Sequence, residues 1–100
     1  MKYIEEYVLA IDDEICDAKE YAEKALQWKA MGNSTRYKAF YDMSTQEMEH
    51  ARILHNMAVE EIQKLNDSGF RAPEEMQEIW NKSHKDYVEK VAWIKQMLTM

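Results

Sequence analysis

The stretch from Thr35 to Asn66, TRYKAFYDMSTQEMEHARILHNMAVEEIQKLN, holds apolar residues at three- and four-residue steps and contains neither Gly nor Pro. Its stripe runs Tyr37, Phe40, Tyr41, Met48, Ala51, Leu54, Ala58, Ile62 and Leu65. That spacing keeps side chains on one face of an α-helix and is incompatible with the two-residue alternation of a strand. Ser34 or Thr35 is placed to cap the helix start through its hydroxyl, and Asp67-Ser68-Gly69 ends it.

Upstream, the same periodicity marks a first helix from about Lys2 to Met31, with Ile4, Val8, Ile11, Ile15, Ala18, Ala22 and Ala25 as its apolar face and Gly32-Asn33 as its stop. Downstream, Pro73 followed by Glu74 and Glu75 suits the first turn of a third helix. That helix would bury Trp80, Tyr87, Val91, Ile94 and Leu98. With only 2 Gly and 1 Pro in 100 residues, the chain reads as one all-α domain, residues 1–100, in which short links make neighbouring helices antiparallel. A domain of this size leaves much of its surface exposed, so dimerisation would add the core that it lacks.

A formal net charge of −6 argues against nucleic acid, whose binding rests on Lys and Arg neutralising phosphates, and leaves cations as the natural partners. No apolar run reaches the roughly 18 residues that a membrane span needs. The acidic, amphipathic start, Met1 to Glu6, does not read as a signal peptide, and the single Cys16 suits a reducing cytoplasm.

Two acids interrupt the apolar faces. Glu14 falls in the series Tyr7, Ile11, Glu14, Ala18, Tyr21, and Glu47 in the series Phe40, Ser44, Glu47, Ala51, Leu54. A carboxylate drawn into an apolar face needs a partner, a proton or a metal, and no Lys stands four residues from Glu14 on either side. His50, one turn after Glu47, completes a Glu-x-x-His step on the same side of the second helix. Carboxylate oxygen and imidazole nitrogen together suit iron, manganese or zinc. Height along the helices, at about 1.5 Å per residue, brings Glu14, Glu47 and His50 within roughly two turns of one another. His84 falls near the level of Glu14 and is a fainter candidate ligand, Asp17 fainter still, and His55 reads as an ordinary histidine.

The segment Glu47-Met48-Glu49-His50-Ala51 resembles the Glu-x-Glu-His-Ala segment of rubrerythrins and related ferritin-like di-iron carboxylate proteins. The interval from Glu14 and the tyrosine seven residues later, Tyr21, agree with that likeness, which covers roughly residues 10 to 60. The resemblance implies Glu14, Glu47 and His50 as iron ligands, Glu47 as the bridge, and ferrous iron oxidation by dioxygen or peroxide, as in a ferroxidase or a peroxide-reducing oxidoreductase. Tyr21 or Tyr41 could hydrogen-bond a ligand carboxylate.

A full ferritin-like bundle uses two lone Glu and two Glu-x-x-His pairs, and this chain has one of each. Position 81, where a second motif would need its Glu, is Asn81, and no rubredoxin-type cysteine pairs are present. The expectation is therefore an antiparallel three-helix, ferritin-like half-bundle, completed by homodimerisation, which supplies four Glu and two His. This half-length design resembles encapsulated ferritins, although no targeting extension is evident after Leu98-Thr99-Met100. An alternative is a metal-free scaffold or adaptor acting through its oligomer interface, in which Glu14 pairs with Arg52 or Lys38 across helices.

Overall fold

A computed structural model describes residues 2–69 and 74–100. Among these, α1 spans Lys2–Ala30, α2 spans Ser34–Asp67 and α3 spans Glu74–Leu98, with no strand. The first two helices match their sequence patterns to within a residue, and the expected start of the third at Pro73 lies outside the described residues. The particle is a rod, 57 × 18 × 17 Å.

The turn between α1 and α2 is set by local chemistry. Gly32, at φ +75°, takes the left-handed conformation that side chains resist. Its N–H donates to the Lys29 carbonyl, and the Asn33 N–H to that of Trp28, the paired bonds of a Schellman ending. Asn33, rather than Ser34 or Thr35, caps α2: its Oδ1 accepts from the Arg36 N–H at 3.0 Å. The hydroxyls miss the role because the helix begins one residue earlier than they need. Arg36 lies over the Trp28 ring at 4.7 Å, and Lys29 over Tyr37 at 5.4 Å, so cations clasp the turn from both helices.

Antiparallel α1 and α2 share a seam with a seven-residue repeat. Val8, Ile15 and Ala22 hold the a positions of α1, and Ile4, Ile11, Ala18 and Ala25 the d positions; in α2, Met48, His55 and Ile62 are at a, and Ser44, Ala51 and Ala58 at d. All of these are buried except Val8 and His55, which are half-buried. Small residues let the backbones approach closely, and the buried Ser44 hydroxyl donates to the Ala18 carbonyl at 2.7 Å. That bond fixes the register one turn from both Glu14 and Glu47.

Helix α3 runs parallel to α1, and the Lys29 ammonium donates to the Met100 carbonyl at 2.9 Å. It packs mainly on α1 through the core that includes Trp80, Ile94, Met97 and Leu98. Tyr87 and Val91 are half-buried against that core. Tyr41, expected on the buried stripe, is 36% exposed and leans its ring edge-on against Tyr37. Of the methionines, Met48, Met76 and Met97 are core, whereas Met43 and Met57 face outward. No helix among the described residues is long and apolar enough to cross a membrane.

Candidate metal centre

In an antiparallel pair, the g positions of the two helices face each other along one edge of the seam and the e positions along the other. The g residues are Tyr7, Glu14, Tyr21 and Trp28 on α1, and Phe40, Glu47, Leu54 and Glu61 on α2. They form layers. Tyr21 meets Phe40, with ring centroids 6.1 Å apart, and Tyr7, Ala10 and Leu54 line one apolar hollow together with Glu6. Between those two layers lie Glu14 and Glu47, a pair of acids with apolar neighbours one heptad above and below.

His50 joins this layer from the adjoining c position. One ligand atom each from Glu14, Glu47 and His50 lies within 4.8 Å of the others. Nδ1 of His50 is 3.6 Å from a Glu14 oxygen and 3.9 Å from a Glu47 oxygen. Those distances are too long for hydrogen bonds. The first is at the upper edge of the roughly 3.0–3.6 Å that separates neighbouring ligand atoms when each is about 2.1 Å from one ion, and the second exceeds it by a few tenths of an ångström. Two carboxylates and one imidazole also form a donor set matched to iron, manganese or zinc. The three residues thus fit a metal ion by both spacing and chemistry.

Electrostatics point the same way. The Glu47 carboxyl is pushed up to about 7, first by its hydrogen bond with the Glu14 carboxyl, then by partial burial and the charge of Glu14. Asp17 adds to the rise, and His50 opposes it. Two acids side by side cannot both ionise cheaply, so near neutrality the pair tends to retain a proton that a cation would displace.

The side chains of Glu14 and Glu47 are 29% and 22% exposed, and that of His50 is 58% exposed. Helix α3 does not cover them. It lies along the e edge, where Thr45 and Arg52 of α2 and Tyr87, Val91 and Lys95 of α3 flank a groove. The metal-ligand candidates therefore face outward from the single chain.

Sequence reasoning placed Glu14, Glu47 and His50 within two turns, and the structure brings them into one group. His84 stands elsewhere, paired on the e side with His55, Nε2 to Nδ1 at 2.8 Å. His55, read as ordinary, is a joint between α2 and α3, and its a position within the heptad was the available signal. Arg52 is engaged by Glu49, its Nε donating at 2.9 Å, so the cross-helix pair of the scaffold reading is not the one formed.

Comparison with protein-family models, curated proteins and solved structures finds no match to this chain.

Proposed function

We propose that this chain binds transition-metal ions through Glu14, Glu47 and His50, that two copies pair to complete a di-iron carboxylate site, and that the assembled site oxidises ferrous iron. The observation that supports this most is the convergence of the three residues, between apolar layers, on the edge that α3 leaves uncovered. A second copy related by a two-fold axis through this layer would add another Glu, Glu and His and would cover the half-buried Tyr7, Tyr21, Phe40 and Leu54. Stabilising a ferric pair needs more anionic oxygen than one chain offers.

Glu14, Glu47 and His50 would hold the iron, Glu14 as a terminal ligand, Glu47 as the bridging carboxylate and His50 as the nitrogen donor. Bound iron would supply the one-electron chemistry by which peroxide, with two electrons from two ferrous ions and two protons, would become two waters. Dioxygen is the other oxidant of this class. The chain's own contribution is to place three donors, exclude bulk water with the aromatic and aliphatic layers, and release the proton that Glu47 tends to keep when a cation binds.

The test is iron retained per chain after anaerobic ferrous loading and desalting. About one iron per chain, two per dimer, is the expected outcome. Glu47→Ala should lose the iron and keep its helicity; full iron stoichiometry in that variant would sink the assignment. If the wild-type chain retains no iron and chelators change nothing, the scaffold reading replaces this one.

A further inference from the structure

The α2–α3 joint is built on two histidines whose ring nitrogens meet head-on. His55 Nε2 and His84 Nδ1 are 2.8 Å apart, and the ring centroids are 5.0 Å apart. The centroid distance is close to the nitrogen separation plus the reach of the two rings, so the hydrogen bond runs nearly along the line between them. Around it, His55 stacks on Tyr87 at 4.9 Å and 15° and lies 5.1 Å from the Trp80 ring. Below this joint α3 stands off α2, leaving the groove lined by Met48, Arg52, Tyr87 and Val91.

We infer that the His55–His84 pair is an acid-released clasp: it ties α3 to α2 while at least one ring is neutral, and lets the first half of α3 open when both rings carry a proton.

The chemistry follows from donor and acceptor counting. A head-on imidazole pair needs one N–H and one bare nitrogen. Two neutral rings meet that need, and so does a pair sharing one extra proton. With both rings protonated, two N–H groups and two positive charges face each other at hydrogen-bond distance, and the contact becomes repulsive.

The charged groups around the pair come from all three helices. Among the described residues, His84 is the charged group acting on His55, while Arg52 and Glu49 of α2 act on Tyr87. On α1, the contact of Ser44 with Ala18 sets a register that puts His55 near the level of Tyr7, and the exposed Glu5 and Asp12, at e positions, are the acids of α1 on that edge. Burial, and then the neighbouring His84, hold the His55 pKa below the usual imidazole value, against a hydrogen bond with Asn56 that raises it. A group whose folded pKa is depressed withdraws stability as pH falls below its unfolded value, which places the release below about pH 6.5.

Most of the packing of α3 is on α1, so losing the bond between His55 and His84 loosens the joint without unfolding the chain. The clasp is on the opposite edge from Glu14, Glu47 and His50 and does not depend on their binding metal.

Amide hydrogen exchange of the intact chain, read on peptides covering residues 76–91 and corrected for intrinsic exchange, tests it. Between pH 7.5 and 5.5 exchange there should rise about tenfold, the factor expected for losing one hydrogen bond, with no rise in peptides of α1. His55→Phe, which keeps a ring on Tyr87, and His84→Gln should each abolish the pH dependence. Glu47→Gln and His50→Ala should leave it in place, which separates the clasp from titration at the metal-ligand group. A flat wild-type profile, or a rise that survives both His55→Phe and His84→Gln, would overturn the inference.

Discussion

At Glu47 the chain is set against its own stability. The carboxyl is raised from 4.5 to about 7, so the folded state holds a proton that the unfolded state has already lost between those values. The sign is opposite to that of a salt-bridged acid: apo stability falls as pH rises from about 4.5 to about 7 and is flat above. With partial exposure and sharing between two acids discounted, the cost above pH 7 is roughly 1–3 kcal/mol. Glu47→Gln removes the charge and keeps the shape, so at pH 8 it should raise the free energy of unfolding by about 1–2 kcal/mol and flatten the pH profile, and, on the proposed function, abolish metal binding. A scaffold in which the acids are favourable partners predicts the reverse, a less stable Glu47→Gln protein. His50→Ala tests the third donor: metal affinity should drop by about 10–100-fold, read by competition with a chromophoric chelator, with little change in the folded fraction, since His50 is largely exposed.

Between α1 and α2, stability and site geometry have a common origin in the small-residue seam. Replacing the buried Ser44 by Ala removes its bond to the Ala18 carbonyl and should cost about 1 kcal/mol, whereas Ser44→Leu should cost more by wedging the helices apart. Because Ser44 is one turn from Glu47, the leucine variant should also lose metal affinity even if it folds, a coupling measurable by denaturation and metal titration on the same preparation. The helices themselves were legible in the sequence because their apolar residues recur at helical steps and Gly32 and Gly69 punctuate them. The cap was misassigned to Ser34 or Thr35 because three adjacent polar residues can serve and only backbone geometry chooses Asn33. Glu14, Glu47 and His50 were legible because acids on apolar stripes break a pattern. His55 was not, since a lone histidine on a helix carries no mark of the residue it will meet from α3. Rise along the helix gave height alone, which is why His84 read as level with Glu14 although it lies on the other edge.

For the whole molecule, the decisive property is that one edge of the α1–α2 pair is covered and the other is not. On the uncovered edge, half-buried Tyr7, Tyr21, Phe40 and Leu54 flank the acid layer, and Met43 and Met57 beside them are 37% and 44% exposed. If that edge receives a second copy and the metal lies between the two, pairing and metal binding are linked: whatever weakens one weakens the other. Phe40→Asp and Leu54→Asp, each one heptad from Glu47, should shift the species in sedimentation from twice 12.0 kDa to 12.0 kDa and reduce retained iron to near none, although neither touches a ligand. Trp93→Asp, a change of similar kind at an exposed site on α3, should alter neither. Metal should in turn tighten the dimer, so chelation should move the monomer–dimer midpoint to higher protein concentration, by about tenfold for each 1.4 kcal/mol of coupling. A dimer that persists unchanged in Phe40→Asp and Leu54→Asp would place the interface elsewhere, and iron held by a strictly monomeric wild-type chain would confine the site to three protein ligands and solvent.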